Sequence, residues 1–105
     1  MHEKDVLGRI TARLYQTFPA GIVAVYAFGS RVRGDHGGWS DFDVLVVVRE
    51  KRPGIESGVI NIFVEEEMAA GLNFTPVVKD LQAFELEKKF HTPFYENVTE
   101  EGVLL

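Results

Sequence analysis

Two short apolar segments constrain the fold of this chain more than any other feature. Residues 22–28 read IVAVYAF and residues 42–49 read FDVLVVVR, and both are rich in β-branched and aromatic side chains, as strands are. The second segment is almost continuously apolar after Asp43, which is typical of a strand that is covered on both faces. Such a strand needs helices on either side of its sheet, so the sequence predicts an α/β domain.

Helical patterns flank the two strands. Apolar residues recur at steps of three and four over residues 3–18, which predicts an amphipathic helix that ends at Pro19. A second helix is expected over residues 55–70, with Gly71 as its C-cap.

The second half of the chain predicts one more strand and two further helices. Residues 72–78 alternate apolar and polar, and Pro76 indicates an edge strand because proline has no N–H for a ladder. Asp80 and Thr92 are expected to cap the two helices that follow. The order predicts a single domain over residues 1–105, with a three-stranded mixed sheet flanked by about four helices.

Composition excludes several classes of function. The chain has 105 residues and no cysteine, which excludes disulfide scaffolds, thiolate metal sites and cysteine nucleophiles. The net charge of −5 argues against wrapping nucleic acid. The first ten residues have no apolar signal region, and no apolar run approaches the ~18–20 residues that a membrane span needs. We therefore expect a cytoplasmic protein.

The candidate chemistry lies on either side of a polar segment that joins the two strands. Gly29 and Ser30 follow the first strand, and Asp41 and Asp43 begin the second. Residues two apart on a strand point to the same face, about 6.6 Å from one another, so both aspartates project together. Paired carboxylates suit hard cations such as Mg²⁺, whereas a glycine allows close approach to a phosphate and Ser30 adds a hydroxyl and an N–H. The spacing therefore predicts a metal site beside a phosphate cradle.

This pattern of Gly29-Ser30, ten intervening residues and Asp41-x-Asp43 resembles the signature of the DNA polymerase beta-like nucleotidyltransferase superfamily. The likeness is to its minimal nucleotidyltransferase branch and covers essentially the whole chain. The resemblance implies transfer of a nucleoside monophosphate, most simply AMP from ATP, to an acceptor hydroxyl. Gly29 and Ser30 would hold the triphosphate, and Asp41 and Asp43 would be the catalytic ligands of Mg²⁺.

Two arginines in the polar segment have two readings. Arg31 and Arg33 would serve as charge-assisted donors to phosphate, or would be solvated loop residues, and the sequence does not choose between these roles.

The resemblance also implies a partner. Many small members are antitoxins that adenylylate a tyrosine of a helical HEPN-type toxin, so ATP and a HEPN-type protein are the expected partners. The sequence leaves the oligomeric state open, a homo-oligomer included.

One departure from the family pattern favours a rival function. The family often carries a third carboxylate on the third strand, where this chain has Asn73 and Thr75. Neither residue can act as a general base as a carboxylate does. The alternative is therefore a weakly active or inactive module that neutralises a partner by binding.

Two further groups of residues keep two interpretations each. The acidic run of residues 65–67 is read as a solvated helix face, with metal binding as the alternative. The aromatic residues Phe90, Phe94 and Tyr95 would belong to the core or face a partner.

Overall fold

The strands form one mixed sheet with helices on both faces. The computed structural model describes residues 3–29 and 42–105. In chain order the elements are α1 (Glu3–Thr17), β1 (Ile22–Phe28), β2 (Phe42–Val48), α2 (Pro53–Ala70), β3 (Phe74–Asp80), α3 (Leu81–Lys89), α4 (Pro93–Glu96), a π-helical turn (Asn97–Glu101) and β4 (Val103–Leu104).

The sheet has the strand order β3-β2-β1-β4. β1 pairs antiparallel with β2 and with β4, and β2 pairs parallel with β3. The α/β fold, the mixed sheet and the edge position of β3 are thus confirmed. The expected number of three strands is wrong: the described residues form four, because Val103–Leu104 pairs with Tyr26 and Ala27 of β1.

Alternate residues of β2 enter two different cores. Val44, Val46 and Val48 belong to the cluster that α1 and α2 cover, whereas Leu45 and Val47 belong to the cluster beneath α3 and α4. All five side chains are fully buried. The predicted covering of this strand on both faces is therefore confirmed, and it follows from the period of two in strand side chains.

Two elements begin at a different residue from the one the sequence predicts. α2 starts at residue 53 rather than 55, because Pro53 occupies the first helical position, where its missing N–H costs nothing. It ends at the predicted Gly71, whose N–H donates to the Glu67 carbonyl at 2.8 Å. β3 starts two residues later than expected, at Phe74, because Leu72 and Asn73 connect Gly71 to the strand.

The predicted caps of the last two helices are present. The Asp80 carboxylate accepts a hydrogen bond of 2.8 Å from the Ala83 N–H, and the Thr92 hydroxyl accepts one of 3.2 Å from the Tyr95 N–H. Phe94 and Tyr95 pack against the core beneath α3, but Phe90 is 69% exposed.

Ion pairs join α1 to α2. Arg9 donates to the Glu66 carboxylate at 2.5 Å, and Arg13 donates to Glu66 at 3.0 Å and to Glu65 at 2.7 Å. The hydrogen bond from Arg9, with a further one from Arg13, lowers the pKa of Glu66 below its ordinary value. These contacts give Glu65 and Glu66 a structural role in place of the metal-binding alternative.

No helix in the described part of the chain is both long enough and apolar enough to cross a membrane.

Candidate active site

The end of β1 and the start of β2 lie together because these strands are antiparallel. Phe28 is the register partner of Asp43, and Gly29 directly follows Phe28. Gly29 has a φ of 101°, which side-chain-bearing residues rarely adopt. A Cβ built on Gly29 would overlap the Oδ2 atom of Asp43. The missing side chain therefore makes the room that the Asp43 carboxylate occupies.

Asp43 lies on the sheet face that α3 and α4 cover. It shares the alternation of Leu45 and Val47, whose side chains are buried on that face, and is itself half-buried. The parallel register pairs Asp43 with Thr75 of β3, which places the exposed Thr75 on the same face. Asn73 precedes β3, so Thr75 is the residue that the strand register sets beside Asp43.

An aromatic pair lies on the same face as Asp43. The rings of Phe28 and Phe94 meet edge to face, with their centroids 5.5 Å apart. The ammonium group of Lys79 lies 4.9 Å from the Phe94 ring centroid and 2.7 Å from the Glu87 carboxylate.

Sequence reasoning missed Lys79 as a neighbour of this face. The signal was present in the alternation of β3, because Thr75, Val77 and Lys79 are two residues apart. Two of these three residues are polar on a face where β2 buries Leu45 and Val47, and that pattern indicates a function or a buried partner. For Lys79 the structure shows the partner, Glu87.

The structure brings together two of the predicted site residues, Gly29 and Asp43. The other predicted residues lie outside the described part of the chain: Ser30, Arg31, Arg33 and Asp41. The joint projection of the two aspartates therefore stays a prediction.

The donors at this end of the sheet have the chemistry of a hard-cation site. Asp43 offers carboxylate oxygens and Thr75 a hydroxyl, and oxygen is the donor that Mg²⁺ prefers. Within residues 3–29 and 42–105, no three acidic or histidine side chains are grouped closely enough to hold a metal ion. The residues fit Mg²⁺ if the polar segment, with Asp41, completes the set.

The domain is thus an α/β fold with a mixed sheet, helices on both faces, and a glycine set against an aspartate where two antiparallel strands meet. Residues 7–105 match the family model described as nucleotidyltransferase domain. The chain therefore belongs to the nucleotidyltransferase domain family. A search of curated protein sequences gave no significant match.

Three solved structures share the fold. A structure assigned to a minimal nucleotidyltransferase is 25% identical, with a TM-score of 0.60, over 100% of this chain and 97% of that one. The toxin–antitoxin complex MntA–HpeT contains a chain that is 19% identical, with a TM-score of 0.58, over 93% of this chain and 70% of that one. A toxin–antitoxin structure with AMP-PNP contains a chain that is 17% identical, with a TM-score of 0.56, over 91% of this chain and 69% of that one.

Proposed function

We propose that this protein is a cytoplasmic, Mg²⁺-dependent nucleotidyltransferase that moves AMP from ATP to a protein hydroxyl, specifically a tyrosine of a HEPN-type toxin, and so acts as an antitoxin. The observation that carries the proposal is the contact of Gly29 with the Asp43 carboxylate at one end of the sheet. Membership of the nucleotidyltransferase family supports the type of reaction.

The proposed roles follow from the side chains. Gly29 and Ser30 cradle the triphosphate, because a glycine lets the backbone N–H groups approach phosphate oxygens closely. Arg31 and Arg33 balance the phosphate charge as charge-assisted donors.

Asp43 would hold Mg²⁺ together with Asp41. The ion, when bound, supplies charge neutralisation on the phosphates and lowers the pKa of the acceptor hydroxyl. The acceptor oxygen forms a bond to the α-phosphorus as the bond to the pyrophosphate leaving group breaks, and the acceptor proton passes to solvent.

Two structural neighbours support the choice of partner and nucleotide. One is the MntA–HpeT toxin–antitoxin complex, and the other is a toxin–antitoxin structure with AMP-PNP, an ATP analogue.

A second candidate is a module of the same fold that neutralises the toxin by binding alone. Thr75 favours it, because the strand register sets this hydroxyl, rather than a third carboxylate, beside Asp43. A threonine hydroxyl cannot take up the acceptor proton at neutral pH as a carboxylate can. Under this candidate the nucleotide site would persist without turnover.

Calorimetry of ATP binding tests the metal site. We expect binding that requires Mg²⁺ or Mn²⁺ and that Asp43→Asn abolishes, whereas thermal stability holds or rises because a half-buried negative charge is removed. Asp5→Asn, on the exposed side of α1, is the matched control and should bind as the unaltered chain does. Equal affinity in Mg²⁺ and in EDTA would contradict the metal site.

Mass spectrometry separates the two candidates. The chain is incubated with ATP, Mg²⁺ and a HEPN-type toxin, and the toxin is examined for an AMP adduct on tyrosine. Transferase activity predicts the adduct, and its loss in an Asp41→Ala/Asp43→Ala double variant. If the toxin is inhibited without an adduct, and equally well by the double variant, the binding module is correct.

A further inference from the structure

α2 carries a continuous exposed stripe that contains no charged residue. We name it the outer α2 stripe, and its members follow one another at steps of three, four, three, four and three residues. All of them are exposed, and Val64 and Met68 retain 43% and 81% of their surface. The stripe consists of Gly54, Ser57, Asn61, Val64 and Met68 on α2, and of Gly71 at its C-cap.

This stripe makes α2 unusual for a surface helix. Its opposite face is buried in the core through Val59, Ile62 and Phe63, so α2 has apolar side chains on two faces. A surface helix normally turns charged residues to water on the side away from the core. The acids near the end of α2 do not supply that face, because Glu65 and Glu66 pair with arginines of α1.

The occupant that the stripe fits best is a second copy of itself. We propose that two copies of this chain pack their outer α2 stripes together in antiparallel orientation across a two-fold axis. Alternating steps of three and four residues are the spacing of a coiled-coil seam. The inference is independent of the proposed nucleotidyl transfer.

The order of residues in the stripe is self-complementary about a two-fold axis. This axis crosses α2 at the height midway between Ile62 and Phe63. That axis sets Asn61 opposite Val64 and Ser57 opposite Met68, because each pair is equally distant from it in the chain. Every such layer combines a smaller side chain with a larger apolar one, and Gly54 opposite Gly71 lets the helix ends approach closely.

Charge also favours a second copy at this face. Each chain has a net charge of −5, so two copies repel one another wherever their acidic surfaces meet. The stripe itself has no charge. On either side of the stripe, each edge of α2 meets the same edge of the other copy. Glu65 then lies nearest to Gly58 of the other copy, and Glu67 lies nearest to Ile60, so the acids that flank the stripe do not oppose each other.

The size of the contact sets its strength. α2 has 18 residues, which corresponds to about 27 Å at 1.5 Å per residue. One helix pair of this length lies at the low end of specific interfaces, which bury roughly 1,200–2,000 Å². The dimer is therefore weak and forms reversibly with concentration.

Sedimentation equilibrium over a range of concentrations tests the proposal. We expect the unaltered chain to associate to a dimer. Val64→Glu should weaken association by on the order of tenfold or more, because an unpaired carboxylate would be desolvated at the contact. Leu86→Glu on α3 is the matched control, since Leu86 is 51% exposed and lies away from α2, and it should leave the dimer intact.

Three results would overturn this interface. One is an unaltered chain that stays monomeric at every concentration. Another is a dimer that Leu86→Glu weakens as much as Val64→Glu does. The third is a monomer whose binding to a HEPN-type toxin is lost in Val64→Glu, which would assign the stripe to that partner.

Cysteine crosslinking tests the orientation, since the chain has no cysteine of its own. Ser57→Cys chains mixed with Met68→Cys chains should form disulfide-linked pairs of one chain of each kind under mild oxidation, because these positions face each other only in the antiparallel dimer. Faster linking of Met68→Cys chains to one another would indicate parallel helices and refute the arrangement.

Discussion

Replacing Gly29 with alanine should have two effects: it should strain the backbone, and it should displace the Asp43 carboxylate. The φ of 101° lies outside the ordinary range of residues with a side chain, and such strain costs about 1–3 kcal/mol. The new methyl group would also overlap Oδ2 of Asp43, so the carboxylate must move away. Domains are stable by about 5–15 kcal/mol, so the variant should fold with a lower Tm.

Gly71→Ala provides the comparison that isolates the effect of the carboxylate. Gly71 also has a positive φ, 69°, but nothing lies within 4 Å of the Cβ that it would acquire. Its cost is the backbone strain alone, roughly 1 kcal/mol for a residue in the left-handed region. The difference between the two variants therefore reports the displacement of Asp43.

Urea unfolding and calorimetry of Mg²⁺-ATP binding together provide the assay. We expect Gly29→Ala to lose more stability than Gly71→Ala. If Asp43 is a ligand of Mg²⁺ as proposed, the variant should also bind Mg²⁺-ATP at least about tenfold more weakly, which corresponds to about 1.4 kcal/mol. Gly71→Ala should bind normally. If Gly29→Ala binds Mg²⁺-ATP normally and is no less stable than Gly71→Ala, the packing of Gly29 against Asp43 has no functional role.

Two further predictions concern the third strand and the α1–α2 ion pairs. Thr75→Asp should raise the single-turnover rate of AMP transfer, by on the order of 10²–10⁴-fold if the new carboxylate acts as a full general base. Asn73→Asp should not raise this rate, because only Thr75 is in register with Asp43. A gain for Asn73→Asp alone would refute this register argument. Glu66→Gln should lower the free energy of unfolding at pH 7 by about 1–2 kcal/mol. This figure is small for an ion pair because the Arg9 side chain is 41% exposed and water screens its charge. Since the pKa of Glu66 is lowered in the folded state, first through its hydrogen bond with Arg9, this contribution is present above the ordinary pKa of 4.5 and is lost as the pH falls through the folded pKa. Urea titrations of both chains should therefore converge in acid, and a difference that persists there would contradict an ionic contribution.

Local signals were sufficient to predict the helices and the first two strands. β1 occupies the predicted residues 22–28, and β2 ends within one residue of its prediction. Each boundary is decided by a residue with a local effect, such as the C-cap at Gly71 or the capping carboxylate of Asp80. Such effects act over a few residues, so they can be read from the chain without the fold.

The fourth strand could not be predicted in the same way. Val103 and Leu104 are too few to show a period of two, and they form a strand only because β1 offers its open edge. The π-helical turn before them is likewise set by tertiary contacts, since Val98 is buried in the core beneath α3. Long-range pairing decides these elements.

The candidate site was predictable to the extent that it rests on antiparallel pairing. The segment between β1 and β2 returns the chain to the end of the sheet that it left, so Gly29 and Asp43 become neighbours whatever its conformation. Thr75 reaches the site by a parallel crossover, whose register depends on the length of α2 and on its end at Gly71. β3 begins two residues later than the sequence predicts. Because side chains alternate with a period of two, this displacement leaves each side chain on its predicted face, and it places Asn73 outside the strand. A displacement of one residue would instead have turned Thr75 into the core beneath α2. The missing third carboxylate therefore concerns one register position, and Thr75 is the residue at which we expect an added acid to restore it.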